Sequence, residues 1–422
     1  MCRDDRTGTG RVHRRAAPTY IVTRTHEGAT AILSPTSRSI VEATLPVVGA
    51  HIGTISEVFY DRLFAAAPTL ETNLFNSANQ AHRIQQQALA SAVAAFATLL
   101  VTRNTGDIDA IMARIAAKHA SLGVRAEHYE LVREHLFDAI VDVLGDAVTE
   151  DVAMAWHEVY TLMSNSLIEQ ESALYANAGV AEGEVWRTVV VAAREYDGAH
   201  AATLFLNAAD GRTLPSYLPG QYISVRIRFR DGSEQIRQYT VTRGRAPAEW
   251  ALSVKRVPGG VVSPILVDQV DAGTHLVVSH PFGSLVLDND ADTPLVLISA
   301  GIGVTNTVAA LQHLVAQNAT RHVTILHVEH SSYDQVRRVE FSALVKQLPF
   351  SSLHLRYTDF DGVRDDGRNP LTGIALPHDA HAYVCGPVDF MRAIRNELVT
   401  SGLPPSAVHF EAFAPGSWLG TE

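Results

Sequence analysis

Cysteine is nearly absent from this sequence: Cys2 and Cys385 are the only two in 422 residues. That count excludes a disulfide scaffold, a Cys-rich structural zinc site and a Cys-ligated iron–sulfur cluster. It suits a reducing compartment, so a cytoplasmic location is expected. No run of about 18 apolar residues occurs, and no membrane span is expected. Positive charge is in deficit, with 34 Lys and Arg against 45 Asp and Glu for a net −11, which argues against a nucleic-acid partner. Charged residues make up 19% and hydrophobic residues 46%, so a wholly disordered chain is excluded. Histidine is plentiful by contrast, at 19, and leaves imidazole available as a ligand.

At about 100–200 residues per domain, the length predicts two to four domains. Residues 1–33 form a basic stretch in which Arg3, Arg6, Arg11, Arg14, Arg15 and Arg24 outnumber Asp4, Asp5 and Glu27. It has no apolar core, so it is read as a disordered extension and not as a secretory signal. From 34 to 180 the apolar residues recur at helical spacing, as in Val58, Phe59, Leu63, Phe64 and in Val132, Leu136, Ile140, Val143. Ser34-Pro35 reads as an N-cap followed by a first-turn proline. The small, polar segment 176–184 reads as a linker. Six short strands with Gly, Pro and Asp turns between 181 and 290 predict an antiparallel β-barrel. From 291 to 422 strands and helices alternate, which predicts an α/β doubly wound parallel sheet. The expected fold class is therefore multidomain: an all-α domain, an antiparallel β-barrel, then an α/β domain.

Two turns in the α/β domain carry a chemical signal. Gly301-Ile302-Gly303-Val304-Thr305 lies between a strand and a helix, where backbone N–H groups can meet a pyrophosphate. Cys385-Gly386-Pro387 ends a later strand, and strand C-ends at the switch point of an open sheet converge on one crevice. In the barrel, Arg237-Gln238-Tyr239-Thr240 places Arg237 and Tyr239 on one face, an Arg suited to a phosphate and a Tyr ring suited to a flat heterocycle. Gly260 and Ser263 offer a flexible turn and a hydroxyl for the rest of a dinucleotide.

These residues, from about 187 to 417, resemble the ferredoxin–NADP reductase family. That family's RxYS/T motif for FAD matches Arg237–Thr240, its GxGxTP motif for the nicotinamide nucleotide matches Gly301–Asn306, and its CGP turn matches Cys385–Pro387. Pro219-Gly220-Gln221-Tyr222 resembles its PGQY segment, and Ala412-Phe413-Ala414-Pro415 its flavin-facing tail. Asn306 stands where the family has Pro, and Ala412 and Ala414 where close relatives have Cys and Gly.

Residues from about 34 to 175 resemble a globin, on Val58–Phe64, Leu74-Phe75-Asn76, Lys118-His119-Ala120-Ser121, His128–Val132 and the closing helix from Ala155 to Glu171. The chain beyond its first 33 residues thus resembles the bacterial flavohaemoglobins, a globin fused to a reductase module. The resemblance implies His119 as the proximal ligand of one haem b iron, with Tyr129 and Glu171 acting on its other nitrogen. It implies Tyr60 as donor to bound O2, Gln85 as a second distal polar group, Leu89 as an apolar gate, Phe75 against the haem plane and Lys118 between haem and flavin. Nitric oxide dioxygenation follows as the implied activity: NO and O2 become nitrate, with electrons passing from NAD(P)H through FAD to haem. The alternatives are a reductase or oxidase serving another acceptor, and an O2 or NO sensor or store. Small molecules are the expected partners, and a monomer the expected state.

Overall fold

The computed structural model describes residues 32–68, 88–102, 105–198, 200–287, 293–360, 363–364 and 369–411. The basic extension, Phe75, Gln85 and Ala412–Pro415 lie outside the described residues, apart from positions 32 and 33.

Among the described residues five long helices come first: α1 (Pro35–Ala66), α2 (Ala88–Thr102), α3 (Thr105–Leu122), α4 (Ala126–Leu144) and α5 (Glu150–Ala178). The start of α1 is as the sequence predicts, with Ser34 Oγ accepting the Ser37 N–H at 3.3 Å and Pro35 in the first turn. Ser34 is also held by α5, its N–H and hydroxyl donating to the two carboxylate oxygens of Glu158 at 2.6 and 2.9 Å. The buried face of α1 runs through Val41, Val48, Ile55, Phe59 and Leu63, spacings of seven and four that keep one stripe inward. It packs on α2, α4 and α5, while α3 packs on α5.

The segment read as a linker is structured. Helix α5 runs into it as far as Ala178 and ends at Gly179, whose left-handed φ of 68° only glycine adopts readily. Glu182 Oε1 then accepts the Ala126 N–H at 2.5 Å, and a Cβ at Gly183 would lie 2.8 Å from the Arg125 side chain. Small residues in this stretch therefore allow close packing as well as chain reversal.

The next strands are β1 (Trp186–Asp197), β2 (Ala201–Ala208), β3 (Tyr222–Arg228), β4 (Glu234–Thr240), β5 (Thr242–Arg243) and β6 (Trp250–Lys255), followed by the short helix α6 (Ser263–Asp268) and β7 (His275–Ser279). They form one antiparallel sheet in the order β4-β3-β7-β1-β2-β6-β5. The first and last strands of that order are consecutive in sequence, with Val241 alone between them. The sheet must therefore curl until its edges meet, which closes the expected barrel. Val189, Leu204, Ile223, Val225, Leu252 and Val278 fill its interior.

The last region contains β8 (Leu295–Ala300), α7 (Val304–Ala316), β9 (Val323–Glu329), α8 (Arg338–Val345), β10 (Ser351–Tyr357), a ribbon of β11 (Asp359–Phe360) and β12 (Val363–Arg364), β13 (His381–Cys385), α9 (Val388–Thr400) and β14 (Val408–Glu411). Five strands form a parallel sheet in the order β10-β9-β8-β13-β14. Alternation sends Leu295 and Leu297 into a core with α7 and α8, and Val296 and Ile298 into a second core with α9. Both faces are thus covered, which is why these strands read as apolar runs. Strand β14 is not anticipated from the sequence, because its four residues are too few to carry a period.

Candidate functional site

On the buried stripe of α5, Glu171 follows Leu167 by one turn and precedes Tyr175 by another, and it is only 2% exposed. It meets the end of α3 and the start of α4. His119 Nδ1 lies 2.9 Å from both Glu171 Oε1 and Tyr129 Oη, and the Tyr129 hydroxyl donates to the same Glu171 oxygen. Burial and the neighbouring Glu171 carboxylate push the Tyr129 phenol far above its ordinary pKa, so it keeps its proton. Since Tyr129 donates to Glu171, it can only accept from His119. The proton then sits on Nδ1, and the Nε2 lone pair is left for a ligand. Tyr160 steadies the group by donating to the Tyr129 carbonyl at 2.6 Å. An imidazole of fixed tautomer backed by a carboxylate fits a haem iron.

Tyr60 sits on the inward side of α1, 4% exposed, with the rings of Phe59 and Phe64 centred 4.7 and 5.4 Å away. Burial raises its pKa well above the usual phenol value, so it remains a hydroxyl donor. Leu89 is half-buried at the start of α2.

Lys118, beside His119, donates to Gln238 Oε1 on β4. The predicted flavin strand therefore lies directly against the helix that carries the histidine. Next to Gln238, the Arg237 guanidinium is half-buried, which lowers its pKa. Its hydrogen-bond partners among the described residues are neutral, the Ile236 carbonyl at 2.8 Å and Gln235 Oε1 at 3.2 Å. A desolvated cation with neutral partners suits a phosphate group, so the residues fit FAD. Tyr239 packs on the barrel core, while Thr240 and Tyr222 are buried and face each other across β3 and β4. Gly220 is required by packing: a Cβ there would lie 1.8 Å from the Leu285 carbonyl oxygen. The Ser263 hydroxyl accepts the Val257 N–H at 3.0 Å, closing the turn that contains Gly260.

The order of the parallel sheet reverses between β8 and β13, and the two predicted turns meet there. A Cβ on Gly303 would come 2.3 Å from the Cys385 carbonyl oxygen, and one on Gly386 would come 3.1 Å from Ala300 Cβ. Gly303 is thus needed so that the two turns can touch, a reason different from the phosphate approach expected of it. Gly301 does fit that expectation, with φ +54° and its nearest neighbour, Lys255 Nζ, 4.0 Å from the added Cβ. Ile302 is part of the same turn, and Val304 and Thr305 open α7. Asn306, which stands where the family has Pro, lies inside α7, 8% exposed, and its buried Nδ2 has no hydrogen-bond partner among the described residues. It borders a cleft lined by Pro219, Leu285, Leu297, Tyr383 and Cys385, where an unsatisfied donor fits a nucleotide. Pro387 precedes α9. Glu329, the last residue of β9, is buried, with Oε1 accepting from Lys255 Nζ at 3.3 Å and Oε2 unpartnered among the described residues.

Ser224 contributes to this region without having been singled out from the sequence, and Ser121 was read only as part of the globin-like segment Lys118–Ser121. Ser121 and Ser224 lie 103 positions apart, and their hydroxyls hydrogen-bond at 2.9 Å. Among the described residues no cluster of three His, Cys, Asp or Glu could hold a free metal ion, and no helix is long and apolar enough to cross a membrane.

Comparison with known proteins agrees with this layout. A globin family model matches residues 57–167, and a model for the oxidoreductase FAD-binding domain matches 201–287. The flavohemoprotein of Bordetella pertussis is 37% identical over 403 residues, covering 91% of this chain and 99% of its own. That of Bacillus subtilis is 33% identical over 388 residues, covering 89% and 96%. The crystal structure of a flavohemoglobin from Malassezia yamatoensis with bound FAD and heme superposes with a TM-score of 0.84 at 33% identity, covering 90% of this chain and 100% of that one. The FAD/NAD-binding domain of a nitric oxide dioxygenase from Vibrio cholerae matches at a TM-score of 0.51 and 30% identity, over 55% of this chain and all of that domain.

Proposed function

The chain belongs to the flavohaemoprotein family, and from that premise we propose that it is an NAD(P)H-dependent oxidoreductase acting as a nitric oxide dioxygenase, converting NO and O2 to nitrate. The observation that carries the reading is the His119–Tyr129–Glu171 cluster. When bound, haem b supplies the reaction centre for the two gases, and FAD turns the two electrons of a hydride into single ones.

The chain's own residues do the rest. His119 offers Nε2 to the iron, and Glu171, drawing on the Nδ1 proton, makes that nitrogen a stronger electron donor than a neutral acceptor would. Such a push favours turnover of the diatomic substrate over its storage. Tyr60 offers a protonated, buried hydroxyl as hydrogen-bond donor to O2. Arg237 holds a flavin phosphate, with Tyr222, Gln238, Tyr239 and Thr240 completing the flavin strands and Gly260 and Ser263 the adjoining turn. Gly301–Asn306 and Cys385–Pro387 receive the nicotinamide nucleotide at the switch point. Lys118 bridges the two halves.

The test is NADH- or NADPH-driven NO consumption in air, with nitrate measured as product. His119→Ala is expected to abolish nitrate formation while nucleotide still reduces the flavin. An unchanged rate of nitrate formation in that variant would remove the assignment of the site.

A further inference from the structure

Four hydrogen bonds close a ring between α3 and the barrel. The Lys118 ammonium donates to Gln238 Oε1. Gln238 Nε2 donates to Ser224 Oγ at 2.9 Å, Ser224 Oγ to Ser121 Oγ at 2.9 Å, and Ser121 Oγ back to the Lys118 carbonyl at 2.7 Å. All four donors point the same way round, so each bond polarises the next. Ser121 and Ser224 are both fully buried. Ser224 and Gln238 are direct cross-strand partners, and the Ser224 N–H donates to Ser279 Oγ at 2.9 Å, which ties the ring to β7 as well. The ring also decides which way the Gln238 amide points. A cation holds its oxygen, and a hydroxyl already committed as donor to Ser121 must accept from its nitrogen.

Apolar contacts near the ring, among Ala120, Tyr175, Val185 and Phe282, bring the two regions together without direction. The hydrogen-bonded ring does have direction. We propose that Ser121 and Ser224 are positioning residues, whose buried hydroxyl pair sets how the His119 end of α3 sits against the flavin strands and thereby sets the rate of electron passage from flavin to haem. This rests on the function proposed above.

The test uses the full chain with Ser121→Ala, Ser224→Ala and the double variant. Before cofactor loading, amide hydrogen exchange at Gly123 and Val124, which close the end of α3 onto Ala120 and His119, is expected to run about fivefold faster in each variant. In the loaded protein, flavin reduction by nucleotide should be unchanged, while the following haem reduction slows about threefold to tenfold, no more in the double variant than in either single one. Ser224→Cys, similar in size but a weaker donor, should fall between wild type and alanine. Unchanged exchange, unchanged haem reduction, or equal slowing of both steps would overturn the proposal. A chain that took up neither haem nor flavin would count against the preceding reading, and hydrogen exchange would then decide the coupling by itself.

Discussion

Glu171 is a carboxylate where helical periodicity calls for an apolar side chain, and its partners explain the exception. A buried charge is tolerated when hydrogen-bonded donors surround it, and His119 and Tyr129 both turn toward the same oxygen. Glu171→Gln keeps the shape but removes the charge from these bonds. We expect NO turnover to fall about tenfold at unchanged haem content, read by NO consumption, because charge-assisted bonds are the stronger class. In the α/β region, one buried imidazole answers to pH. His327, between Ser299 and the Phe341 ring, is held down to about pKa 4, chiefly by burial. Its folded value lies below the unfolded one, so the unfolded chain binds the extra proton. Stability is full above about pH 6.5 and declines toward pH 4, by up to about 3 kcal/mol from this residue. Thermal unfolding across that range should show the decline, and His327→Gln should flatten it.

The turns at the ends of β8 and β13 work as a pair. Neither glycine motif is specific alone, yet in the fold Gly303 abuts the Cys385 carbonyl. Gly303→Ala would force α7 and β13 apart. A cost of about 2–3 kcal/mol is expected, with nucleotide-driven flavin reduction impaired and the haem absorption spectrum intact; stopped-flow flavin reduction checks it. The strand–turn–helix order was legible because both faces of the sheet are covered and its strands read as apolar runs. The short β14 was not, since four residues hold no period and are placed only by pairing with β13. Asn306 shows the same limit at one position, since its unsatisfied amide depends on where α7 begins.

At the scale of the whole molecule, the helical region and the barrel share a small core in which Phe282 packs edge-on against Tyr175, ring centres 6.1 Å apart. Phe282→Ala should cost about 3–5 kcal/mol. Haem absorbance and flavin fluorescence, expected to report one melting transition in the wild type, should then report two. The Arg114 guanidinium, 4.7 Å from the Phe410 ring, adds a contact from the helical region to the last strand of the parallel sheet. By itself the sequence determined the three regimes of periodicity, the exclusion of an iron–sulfur acceptor, and the motifs on which a family resemblance rests, because these are local patterns of composition and spacing. The tertiary structure alone decided that His119 and Tyr129 share one carboxylate oxygen of Glu171, that the two glycine turns touch, and that Ser121 meets Ser224. Each of these is a hydrogen bond or close packing between residues distant in the chain. Such short-range contacts form only where folding brings the partners within a few ångströms, and sequence spacing does not encode that distance.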